Sequence, residues 1–174
     1  MSSEQKDFEE GSHSYFVHAY NLYRQGDGKK LIELISREQS NRDWCERVIN
    51  YLMTTCGSVV DDSTSENISV IGMVCGQQQP RDVNKVLQFA RYKLEELQRV
   101  VSEHAKYDEK QLGDSRNCGY MLIWLVAAIR TDEAILLMQE LCEGNRGNEY
   151  EWVSGMSLDY MKQKRKEGPW LAGT

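Results

Sequence analysis

At 174 residues the chain fits one domain that can bury roughly two-thirds of its unfolded surface, so it needs neither disulfide nor metal to fold. With 40% apolar and 28% charged residues, it is excluded from the intrinsically disordered class. Its formal charge of −6 opposes non-specific nucleic-acid binding as the main activity, because such binding needs Lys and Arg to neutralise phosphates.

Residues 1–11 are acidic and polar, the reverse of a signal or transit peptide, and read as a flexible tail. Ser12 or Ser14 can cap a first helix whose apolar face is Phe16, Ala19, Tyr20 and Tyr23. Gly26-Asp27-Gly28 ends it, and a short helix Lys29–Arg37 follows. A third, capped by Ser40 or Asn41, places Trp44, Val48, Tyr51 and Leu52 on one face and stops at Gly57. Residues 58–66, rich in Ser, Thr and Asp, read as a loop.

The stretch 67–75 is ambiguous. Its β-branched Ile68, Val70, Ile71 and Val74 suit a strand, yet Ile68, Ile71 and Cys75 keep helical spacing. With no second strand to pair with, the stretch is expected to be a short buried helix.

Pro80 stands ahead of the longest periodic segment, 81–106, as proline does near a helix start. Its stripe runs Val83, Leu87, Ala90, Leu94, Leu97, Val101 and His104, widened by Val86, Phe89 and Val100. A stripe that wide belongs to a helix in a globular core and not to a two-stranded coil. Gly113-Asp114-Ser115 reads as a break. The helix after it, 117–130, is apolar all round and is expected at the centre with Trp124 buried. Thr131 can cap a helix Asp132–Cys142, and Gly144-Asn145-Arg146-Gly147 reads as a turn. A last helix, about 149–166, is expected to turn Trp152, Met156 and Tyr160 inward and to end before Pro169. The expected fold is thus all-α: a bundle of about seven helices around 117–130, spanning 12–167, with a short tail 168–174.

Few residues carry a chemical signature. The five cysteines, Cys45, Cys56, Cys75, Cys118 and Cys142, are widely spaced and odd in number, which argues for free thiols in a reducing compartment. His13 and His18 stand about 140° apart around a helix and cannot easily share an ion. His104 falls on an apolar stripe, where a structural role is the ordinary one. Gly26-Asp27-Gly28-Lys29-Lys30 lacks the strand and the Ser/Thr of a phosphate loop and reads as a plain turn. The longest apolar run, Tyr120–Ile129, is half the length of a membrane span. No catalytic set, cofactor loop or metal spacing is legible.

The expected function is therefore a non-enzymatic interaction or regulatory module that binds another protein, or a second copy of itself, through a helical surface. Expected contact residues are Arg91, Glu95 and Arg99 on the long helix and Lys162, Lys164, Arg165 and Lys166 in the last turns of the chain's final helix. RNA binding through the basic residues of 81–106 and 149–166 is the alternative, and an unrecognised enzyme the third reading. Without leader or membrane span, an intracellular, cytoplasmic location is expected, with nuclear access through the basic run as an option.

Overall fold

Among residues 13–168, which the computed structural model describes, the chain forms eight α-helices and no strand. They are α1 His13–Arg24, α2 Lys29–Glu38, α3 Arg42–Thr55, α4 Thr64–Gln77, α5 Val83–Ser102, α6 Glu109–Ala128, α7 Asp132–Gly144 and α8 Glu151–Glu167, with a 3₁₀ turn at His104–Lys106. The expectations for residues 1–11 and for 169–174 lie outside the described residues.

Four helices start where a side-chain oxygen accepts the backbone N–H three residues on. The pairs are Asn41 with Trp44, Asp82 with Lys85, Asp108 with Gln111 and Thr131 with Ala134. At Asp108 the box is complete, since the Gln111 side chain accepts the Asp108 N–H at 3.0 Å. This box explains why Gly113-Asp114-Ser115 does not break the chain. Helix α6 nucleates one turn earlier and runs through Gly113, whose missing side chain costs only propensity.

The ambiguous stretch 67–75 is helical, inside α4. Ile68, Val70, Ile71, Val74 and Cys75 are all fully buried. Packing of α4 against α2, α3 and α6 outweighs the weak strand preference of its β-branched residues. Helix α6 is central as expected, with α4, α5, α7 and α8 packed around it. A Cβ at Gly72 would lie 3.6 Å from Leu125 Cα, so α4 and α6 meet nearly backbone to backbone.

The long helix is shorter than its spacing suggested. It ends at Ser102, leaving His104 exposed on the 3₁₀ turn and Val101 61% exposed. The buried line is Val86, Ala90, Lys93, Leu97 and Val100, beside Leu87, and α6, also 20 residues long, covers it. The middle of the stripe is thus covered within the fold, and Val101 at its end is not.

Lys93, buried in that line, anchors the loop before α4. Its ammonium donates to Gly57 O at 2.6 Å and lies 3.4 Å from Glu96, which accepts the Val59 N–H. Cys118 of α6 donates to Val59 O from below. Gln79 does the same work at the other end of α4. Its amide donates to Cys75 O and Ala128 O, and its oxygen accepts the Arg130 N–H. Those three bonds hold the C-terminal ends of α4 and α6 side by side.

Helix α8 is fixed by Tyr150, whose hydroxyl donates to Arg116 O at 2.9 Å and whose ring meets Tyr120 edge-on at 4.9 Å. The inward residues of α8 are Val153, Ser154, Ser157 and Met161. Trp152, Met156 and Tyr160 point away from the core instead, at 72%, 47% and 50% exposure. Trp124 also departs from expectation and is 53% exposed. Both misplacements have one cause. Helix α8 packs on α6 and α7 through Val153, Ser154, Ser157 and Met161, and it stands off from α4 rather than closing over Trp124.

Candidate groove between three helices

The gap left by that packing is a groove of about 520 Å³. Each wall repeats a helical spacing. Gly72, Met73 and Gly76 of α4 make the floor, Trp124 and Ala128 of α6 one side, and Met156, Tyr160 and Lys164 of α8 the other. Glycines at 72 and 76 deepen the floor, and a Cβ at Gly76 would meet no atom within 4 Å. Beyond Trp124 a second hollow of about 240 Å³ continues along α4 and α6 to Ile68, Ser69 and Met121. Trp124 stands between the two and lines both.

Single exposed apolar residues are ordinary, but a cluster of them around one concavity is not. Methionines supply two of the walls. Their unbranched, polarizable chains adapt to irregular partners. Cations sit at one end only: Arg130 donates to Gly76 O at 3.4 Å, and Lys164 lies 3.7 Å from Glu167 and 5.6 Å from the centre of the Tyr160 ring.

Of the residues expected to bind a partner, only Lys164 lines this groove. Arg91 is on the surface, in a forked ion pair to Glu140 of α7 at 2.8 and 3.4 Å. Glu95 and Arg99 are exposed on α5. Arg165 reaches Asp132 at 3.1 Å, and Lys162 and Lys166 are exposed. The α5 and α8 sets thus anchor eight residues apart on α7, about 12 Å along its axis, and do not merge into one basic face. The groove itself was missed because Trp124, Met156 and Tyr160 read as core. The signal that could have found it is local: the apolar residues 152, 156 and 160 and the small residues 153, 154 and 157 occupy different sides of one helix.

The remaining candidate chemistry is quiet. Among the described residues no three His, Cys, Asp or Glu side chains cluster as metal ligands would. Gly26 takes φ +94°, the left-handed geometry of a tight turn, consistent with a plain turn at 26–30. Burial pushes the Cys45 thiol up to about 11 and Cys118 up to about 12, and it raises Cys75, Cys56 and Cys142 as well. All five are therefore thiols and not thiolates at neutral pH.

A pH dependence follows. A thiol with a raised native pKa contributes stability that is complete below its unfolded pKa, near 8.5, and is lost as pH climbs through the native value. Urea midpoints should therefore be lower at pH 10.5 than at pH 7, and Cys45→Ala with Cys118→Ala should reduce that difference. An equal drop in the double variant would show that other groups cause it.

No protein-family model, no curated protein and no solved structure matches this chain. Among the described residues no helix is long and apolar enough to cross a membrane.

Proposed function

We propose that this chain is a non-enzymatic protein–protein interaction module whose binding surface is the groove between α4, α6 and α8. One observation carries the reading: Trp124, Met156 and Tyr160, three large apolar side chains about half exposed, surround a single concavity. Covering them would remove apolar surface from water, at about 25 cal/mol per Å². A shoulder between helices is where an apolar face of another protein lodges. An interface on α5 has less support, because α6 covers the middle of its stripe and the exposed Tyr92 and Val101 do not share one groove.

The test uses variants that alter the groove and leave the core alone. Met156→Glu places a charge on its wall, Gly76→Leu fills its floor, and Trp124→Ala removes its central ring. Trp124→Ala should cost well under the 3–5 kcal/mol of a buried tryptophan, since the ring is half in solvent. Crosslinking of tagged chains in cells should recover a protein, or a second copy, that all three variants lose while circular dichroism and Tm stay near wild type. An identical crosslinked set from wild type and all three variants would overturn the groove as the binding surface.

A further inference from the structure

The charge of the groove is one-sided. On a chain of net charge −6, the end of the groove beside the last turns of α4, α6 and α8 holds two cations, Arg130 and Lys164. Of the nearby carboxylates, Asp132 is taken up by Arg165, and Glu167 lies 3.7 Å from Lys164 as an exposed pair that a second carboxylate can share. Arg130 has no ion pair among the described residues; its hydrogen bond goes to a carbonyl. The cations are not all needed by the helix ends either, because Gln79 already meets the carbonyls of Cys75 and Ala128. The opposite end, at Ile68, Ser69 and Met121, carries no charge.

The groove's length is also defined. From Met121 to Arg130 the walls rise about 13 Å, some two and a half turns of a helix. Apolar residues at i, i+4 and i+7 of an incoming helix span about 10 Å and would fill the two hollows on either side of Trp124. A residue one turn further lies at the cationic end.

Resting on the groove reading above, we infer that the occupant is an amphipathic helix of a partner protein whose apolar face is followed, one turn on, by carboxylates that meet Arg130 and Lys164. Apolar anchors supply the affinity. The carboxylates fix which way the helix lies and reject partners that carry lysine there.

Two synthetic helical peptides of about 15 residues test this on the full chain. They share Leu, Phe and Leu at i, i+4 and i+7 and differ only in two glutamates or two lysines in the next turn. Calorimetric titration at low salt should give the glutamate peptide a Kd about tenfold lower, with the gap narrowing as salt rises. Arg130→Glu with Lys164→Glu should invert the order, and should that variant fold poorly, Arg130→Gln with Lys164→Gln should abolish the preference. Equal binding of both peptides, lost with Met156→Glu, would overturn the acidic partner and leave the groove standing. Binding of neither peptide would overturn both readings. The acidic helix is overturned as well if only oleate or a uridine oligomer binds, which would assign the cations to lipid or RNA.

Discussion

Trp44→Ala should lower stability by about 3–5 kcal/mol, the largest effect expected of any tryptophan in the chain's helices. Trp44 is 1% exposed and meets the Phe16 ring edge-on at 6.0 Å, where α3 crosses α1. Its indole N–H has no hydrogen-bond partner, so the loss is one of packing and apolar burial alone. Phe16 also touches Tyr51 and stacks with Tyr20, whose hydroxyl donates to Asn67 of α4. A cavity at residue 44 therefore loosens the contact of α1 with α3 and α4 together. For a chain of this length, each kcal/mol moves Tm by about 2–4 °C, so calorimetry should show a fall of roughly 6–20 °C. Trp124→Ala measured in parallel should move it far less. A reversed order would mean that α6 and not α3 carries the aromatic core.

Gly119→Val should cost about 3 kcal/mol by a different route. Gly119 is buried in α6 directly beneath the Tyr150 ring, and any Cβ at that position collides with the phenol. Tyr150 cannot simply turn aside. It is 8% exposed, bonded to Arg116 O and packed edge-on against Tyr120. Displacing it loses that bond and unseats the start of α8, which forms one wall of the groove. The signature is coupling: in a Tyr150→Ala background, Gly119→Val should cost much less than in the wild type. Chemical denaturation of the four proteins measures this, and additive losses would show that Tyr150 is not the obstacle. Gly113→Ala is the contrast. Its Cβ would meet nothing within 4 Å, so relief of the helix penalty should add up to about 1 kcal/mol of stability.

The all-α class was legible because helical spacing and caps are local. Asn41, Asp82, Asp108 and Thr131 each contact a backbone N–H three residues away, a distance that sequence displays directly. The buried helix at 67–75 was legible by exclusion, since a lone strand would leave its hydrogen bonds unpaired. Asp82 and Asp108 were signals passed over, and the Asp108 box with Gln111 outweighs Gly113 as a boundary marker.

Periodicity states that one side of a helix is apolar; it does not state whether another helix arrives to cover it. Val153, Ser157 and Met161 lie on one flank of α8, and Trp152, Met156 and Tyr160 on the next, at nearly the same spacing. Which flank turned inward was decided by Tyr150 over Gly119, a contact across 31 positions of sequence, and by Asn145 holding Ser154. In α5 the packing against α6 set the buried line at Lys93 and Val100, leaving Leu94 half-buried and Val101 exposed. Sequence alone determined that helices form, roughly where they begin, and that the cysteines are unpaired. Only the packing decided that α4, α6 and α8 leave a groove, because a helix packs through the flank that lets backbones approach. Here the flank of Val153, Ser154, Ser157 and Met161 won that contact, and Trp152, Met156 and Tyr160 were left outside it.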